Sequence, residues 1–272
     1  MSDIKTRNYV NKPLDEMTAE ELRHGALKWM TNEGEGLGDA RASLGGERSA
    51  ARSEPKVSRK ELKAKIAGLS PLPVKFVINT HYHGDHTGGN AAFAGDGATI
   101  VAYKTVADRL SHPPPGATGQ PGTPAPAAAL PTRTYSAASS TVEIAGVTAD
   151  LYHPAPAHTD GDALVHFKKA NVLHMGDTLL GGYPIVDKGS GGSFEGYITA
   201  ADRALAIADD ATKIIPGHGP VMTKADLTAW REMLVKLRDR VAALAAQKKT
   251  LEEIKAAIRR AIVGRGYVKG II

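Results

Sequence analysis

A chain of 272 residues, 42% hydrophobic and 23% charged, can bury a core, which excludes wholesale disorder. It has no cysteine, which excludes disulfides, thiolate nucleophiles and thiolate metal ligands; any metal must rest on imidazole and carboxylate. The net charge is +5, but basic residues are scattered among acidic ones, so a solvated surface is favoured over a nucleic-acid-binding face.

Residues 18–30 read as a short helix, with Thr18 and Glu21 in capping-box spacing and Leu22, Ala26, Leu27 and Met30 on one face. Residues 31–57 are rich in Gly, Ala, Ser, Arg and Glu and show neither helical nor strand period, so a loop or poorly ordered segment is expected there. A second capping box, Ser58 with Glu61, opens a helix to about Gly68. Residues 1–72 are accordingly read as an atypical N-terminal region, and 73–272 as the main domain.

From Pro73 the pattern becomes regular. Val74, Phe76 and Ile78 alternate in a strand over 74–79; a second strand covers 98–103 and a short helix 104–110. The proline-rich stretch 112–132 is expected to be an extended loop. Four strands follow at 141–144, 148–152, 163–167 and 171–174, then a helix at 198–208 and a strand at 212–215. Two helices, 224–247 and 251–262, close the chain. Strands interleaved with helices indicate an α/β layered domain. Residues 1–10 lack a signal-peptide pattern and no apolar run is long enough to span a bilayer; the chain as written is expected in the cytoplasm, although a trimmed export signal is compatible with the same text.

The chemistry concentrates in Thr80-His81-Tyr82-His83-Gly84-Asp85-His86, where three imidazoles and a carboxylate directly follow a predicted strand. In an extended stretch His81, His83 and Asp85 would face one way, and a turn at Gly84 would bring in His86. So dense a polar group is costly to bury without a metal. Three more segments at predicted strand ends supply matching donors: His158 in "AHTDGD", Asp177 in "GDT" and His218 in "PGHGP". His24, His112, His166 and His174 lack such context and read as structural, as does His153, which could otherwise line the site. Tyr82 and Thr159 suit supporting contacts; Asp160 and Asp162 suit turn capping. The glycine-rich stretches 181–184 and 189–192 form an edge near the pocket without a phosphate-loop pattern.

In the order and spacing of "THYHGDH", "AHTDGD", "GDT" and "PGHGP", the chain resembles the metallo-β-lactamase fold superfamily from about Pro73 to Ala246. The resemblance implies an αββα sandwich of the metallo-β-lactamase type with the site at one edge, joined here to an atypical N-terminal region. It implies that His81, His83 and His158 bind a first metal, that Asp85, His86 and His218 bind a second, and that Asp177 bridges them. Two metal ions per chain, with zinc favoured, would support a metal-dependent hydrolase in which a bridging hydroxide attacks an ester, lactone, thioester or lactam and Asp85 orients the nucleophile.

Zinc β-lactamases of the superfamily often carry cysteine or serine where Asp177 stands, which argues against a dedicated lactamase and leaves room for a weak one. The alternatives are a nucleic-acid phosphodiesterase on the same fold, for whose usual inserted domain the chain has little room, and a non-catalytic metal-binding protein. A diiron redox protein is disfavoured by His83, because those relatives carry glutamate there. The expected partner is a small-molecule substrate, with no nucleic acid and no membrane; a homo-oligomer is compatible.

Overall fold

The computed structural model describes residues 58–115 and 120–263, with side chains described as far as residue 258. The helix expected over 18–30 and the irregular segment over 31–57 lie outside the described residues.

The described residues begin with helix α1 (Arg59–Leu69), capped as expected: Ser58 Oγ accepts the Glu61 N–H, and the Glu61 carboxylate accepts the Ser58 N–H at 2.8 Å. Strand β1 (Phe76–Ile78) leads to two short helices, α2 (Gly84–Thr87) and α3 (Asn90–Gly95). Strand β2 (Thr99–Tyr103), helix α4 (Lys104–Ser111) and strand β3 (Arg133–Tyr135) follow. Strands β4 (Ser139–Ile144), β5 (Val147–Tyr152), β6 (Leu164–Phe167) and β7 (Val172–Leu180) precede helix α5 (Phe194–Ile207). Strand β8 (Lys213–His218) and helices α6 (Lys224–Ala246) and α7 (Leu251–Val263) complete the described order. No helix among the described residues is long and apolar enough to cross a membrane.

The strands form two sheets. Among the described residues the first has order β1-β2-β3, all parallel, and the second has order β4-β5-β6-β7-β8, antiparallel except for the β7–β8 pair. Period-two alternation builds the layers. In the first sheet Val77 and Ile100 point outward onto Leu62 of α1 and Phe93 of α3, whereas Phe76, Ile78 and Val101 point inward onto Val142, Leu151 and Val165 of the second sheet. In the second sheet Leu164, Leu173 and Ile214 point outward onto Tyr197, Ala201 and Ala204 of α5 and Leu227, Trp230 and Leu234 of α6. Helices, sheet, sheet, helices is the αββα sandwich that the motifs implied. Each fully buried leucine or isoleucine contributes about 1.5–3 kcal/mol.

Three differences from the expected elements have local causes. Strand β7 does not stop at His174 but runs through Gly176-Asp177 to Leu180, with register shifts either side of Gly176. Gly176 sits at φ +52°, and a Cβ there would lie 2.7 Å from Thr80, so the strand bends where it passes the end of β1. Helix α5 starts at Phe194 rather than 198, because Gly196, a weak helix former, permits contact with the loop before His158; a Cβ there would meet the Pro156 carbonyl at 1.7 Å. Strand β3 and helices α2 and α3 are too short to leave a periodic signature.

Candidate metal centre

All seven donor residues converge at one edge of the sandwich, from the ends of β1 and β8, the β5–β6 loop and the bend in β7. His81 continues from β1 in a fixed frame: Asn79 exchanges amide hydrogen bonds with Asn90 at 2.9 Å, and the Thr80 carbonyl accepts the Ala163 N–H at 2.7 Å. The expected turn at Gly84 is a helix start instead. His83 is the N-cap of α2, so Asp85 and His86 lie on its first turn rather than continuing an extended run. Thr87 Oγ1 closes that turn by donating to the His83 carbonyl at 3.1 Å.

His81, His83 and His158 form one group, and Asp85, His86 and His218 another; within each, the candidate ligand atoms lie within 4.8 Å of one another. In the first, His83 Nδ1 is 3.2 Å from His81 Nε2 and 2.8 Å from His158 Nε2. In the second, Asp85 Oδ2 is 3.3 Å from His86 Nε2 and 3.2 Å from His218 Nε2. Asp177 lies between them. Its Oδ2 is 4.0 Å from His81 Nε2, 3.5 Å from His158 Nε2 and 3.6 Å from His218 Nε2, while Oδ1 is 3.2 Å from His86 Nε2.

Proton positions in the first group follow from the outer partners. The Ile185 carbonyl can only accept, so His158 Nδ1, at 2.6 Å, carries a proton. His83 Nε2 is 3.0 Å from Asp187 Oδ2, and the His83 hydrogen bond, opposed by burial, holds the Asp187 carboxyl well below the usual carboxylate range; His83 Nε2 therefore donates. In neutral imidazoles this leaves lone pairs on His83 Nδ1 and His158 Nε2, facing each other at 2.8 Å with His81 Nε2 beside them. A proton can reconcile one such pair, whereas a tetrahedral cation accepts three.

The second group has a related signature. Buried His86 Nδ1 and Nε2 and Asp177 Oδ1 lack an aligned hydrogen bond, although His86 Nε2 and Asp177 Oδ1 are close. Burial pushes the His86 imidazolium down, yet Asp177 and Asp85 on either side raise it to about 9. At Asp85 burial pushes the carboxyl up, but His218 and His86 outweigh it and hold it well below the usual range. Buried orphan polar atoms are uncommon and need a partner; a donor set of nitrogen and oxygen without sulfur fits zinc.

Two glycines make room. A Cβ on Gly217 would lie 1.8 Å from Asp177 Oδ1, so the backbone of β8 closes against the carboxylate only because residue 217 has no side chain. Gly192 lies over the His158 carbonyl, where a Cβ would be 2.4 Å away.

The remaining residues mostly take structural roles. Asp162 accepts the N–H groups of His158 and Thr159 and the Thr159 hydroxyl, at 2.7–3.1 Å, and so caps the turn that presents His158. Burial pushes its carboxyl up to about 7 against the pull of these donors. Asp160 pairs in a fork with Arg109, both contacts at 2.6 Å. His153 stacks on Tyr103 with ring centres 3.6 Å apart and contacts the Asp162 carbonyl, so it supports the loop rather than the donor groups. His174 Nδ1 accepts the Gly176 N–H. Tyr82 donates to Asp187 Oδ2 at 3.0 Å and touches Ser190 Oγ at 2.7 Å. Asp187 itself escaped sequence reasoning: an aspartate in "DKGSGG" reads as a turn residue, and it is also that, accepting the Ser190 N–H on Oδ1.

Comparison with known proteins identifies the family. Residues 44–218 match the family model of the metallo-beta-lactamase superfamily, so the chain belongs to that superfamily. The match begins well before Pro73. The alpha subunit of 2,4-dinitroanisole O-demethylase from Nocardioides sp. is 31% identical over 167 residues, 60% of this chain and 46% of that protein. Hydroxyacylglutathione hydrolase from Synechococcus sp. is 32% identical over 121 residues, 44% of this chain and 38% of that protein. The chain thus spans less than half of either relative. Among solved structures, the B3 metallo-beta-lactamase BLEG-1 superposes with a TM-score of 0.55 at 20% identity, covering 66% of this chain and 86% of that one. A metallo-beta-lactamase from Pontibacter korlensis gives 0.51 at 24% identity, covering 66% and 77%. These two likenesses concern the fold.

Proposed function

We propose that the chain is a metal-dependent hydrolase that holds two metal ions, zinc favoured, and cleaves an ester, lactone, thioester or lactam in a small-molecule substrate. The observation that carries this reading is Asp177: one buried carboxylate faces two separate convergent donor groups. His81, His83 and His158 would hold one ion, Asp85, His86 and His218 the other, and Asp177 both. Bound there, such ions lower the pKa of a water toward about 7 and polarise the electrophilic carbonyl.

The chain's own groups do the rest. Asp85, with 42% of its side chain exposed, stands between the buried donors and solvent. Its carboxylate is placed to orient a water by accepting its hydrogen bond. His218 is more open still, with 53% of its side chain exposed.

Among the bond types, the thioester is favoured by the likeness to proteins named hydroxyacylglutathione hydrolase. The likeness to an O-demethylase subunit supports a second reading, cleavage of an activated aryl methyl ether. One experiment separates them. The full chain is loaded with zinc, its metal content is measured, and it is assayed against chromogenic thioester, lactone, lactam, phosphodiester and nitroaryl ether substrates. We expect two ions per chain and turnover of at least one acyl substrate. Metal content near zero in zinc-replete buffer would sink the metal reading; turnover of the ether alone would sink the acyl one.

A further inference from the structure

We infer that residues 185–190 form a positioning latch for the first donor group, through which metal occupancy of His81, His83 and His158 is coupled to the order of this loop. The inference rests on the proposed reading of that group as a metal site. Its ground is that one short loop supplies the outer hydrogen-bond acceptor for two of the three imidazoles: the Ile185 carbonyl for His158 Nδ1 and the Asp187 carboxylate for His83 Nε2. His83 and His158 stand 75 residues apart in sequence, yet their ring orientations are set by acceptors two residues apart.

The loop is built to hold these acceptors in place. The Asp187 N–H donates to the His158 carbonyl at 3.0 Å, and the Asp187 carbonyl accepts the Gly192 N–H at 2.8 Å. Ser190 is fully buried, its N–H on Asp187 Oδ1 and its hydroxyl on Tyr82. The Ser190 carbonyl accepts the Asp160 N–H at 2.9 Å, and Asp160 is fixed by Arg109. Tyr82 and His83, adjacent in sequence, both donate to Asp187 Oδ2. The loop's polar groups are thus aimed at donor side chains as well as at its own backbone, more than turn closure requires.

Asp187 is a positioning residue. It acts by keeping the His83 proton on Nε2 and the lone pair on Nδ1, turned toward the other two rings. Coupling of this kind is reciprocal: if the loop raises metal affinity, the metal must stabilise the loop by the same factor.

The test is a zinc titration of the metal-free full chain in competition with a chromophoric chelator, alongside hydrogen exchange with and without zinc. Asp187→Ala should weaken one binding step by about 10–100-fold and leave the other within about twofold. Asp187→Asn, which keeps an oxygen acceptor for His83 Nε2–H, should recover most of that loss. Zinc should slow exchange at the Asp187, Ser190 and Gly192 amides of the wild type, and do so far less in Asp187→Ala. Should Asp187→Ala not fold, Tyr82→Phe serves instead, with a loss of about two- to fivefold in the same step. Unchanged zinc affinity in the folded Asp187 or Tyr82 variant, or zinc-independent exchange in the wild type, overturns the latch. A wild type that takes up no zinc at all overturns the metal-site reading itself, before any variant is compared.

Discussion

The two donor groups share Asp177 yet are built differently. His81 and His158 are 1% and 2% exposed, and the rings of His83 and His158 are turned by acceptors outside the group. In the other group His218 has 53% of its side chain exposed, and neither buried nitrogen of His86 has an aligned hydrogen-bond partner. In the first group two of the three rings are held by acceptors outside the group; in the second no such outer acceptor holds His86. Preorganisation lowers the cost of binding, so the first group should fill first and empty last.

The comparison is broken most completely at the residue common to both groups. Asp177→Ala should lower hydrolysis by about two to three orders of magnitude or more and reduce the metal content toward one ion per chain, read by steady-state kinetics and elemental analysis. Activity within tenfold of the wild type would show that the two groups do not need a shared carboxylate. Gly217→Ala should come next. Its Cβ would meet Asp177 Oδ1 at 1.8 Å and the Gly176 carbonyl carbon at 2.8 Å, so the carboxylate must move. A displacement on the order of 1 Å in a reacting constellation costs about 10²-fold in kcat, and circular dichroism checks that the sandwich survives.

A zinc titration sharpens the difference. The wild type should bind in two steps separated by at least about tenfold in affinity, and His218→Ala should remove only the weaker. Loss of the tighter step in His218→Ala would reverse the assignment of roles. The smallest effect belongs outside both groups. Asp160→Ala breaks a half-buried fork with Arg109 and should cost roughly 1–3 kcal/mol of stability, between the ranges for exposed and buried pairs, with metal stoichiometry unchanged. Thermal unfolding of the metal-free chain measures it; two ions per chain in a destabilised variant is the expected result.

How far the sequence was legible follows the same division. His81, His83, Asp85 and His86 stood out because they are contiguous after a strand of plain alternation, and a local cluster needs no tertiary information to be seen. The long helix α6 and the Ser58–Glu61 cap of α1 were legible for a similar reason, since caps and period act within a few residues. Asp187 was not, because its contact with His83 spans 104 residues and its local role as a turn former already accounts for it. The bend of β7 was missed because Gly176 interrupts the apolar alternation just where the strand is deformed to present Asp177.

By itself, then, the sequence determined which donors exist, in what order, and on which kinds of element, because residue type and short-range periodicity are local properties. The fold decided what those donors are to one another. It set which ring nitrogens keep their lone pairs, by placing a carbonyl and a carboxylate behind two imidazoles. It buried His81, His158 and His86 and left Asp85 and His218 at the rim. Proton placement and desolvation depend on distances of a few ångströms between residues far apart in the chain, and only packing sets those distances.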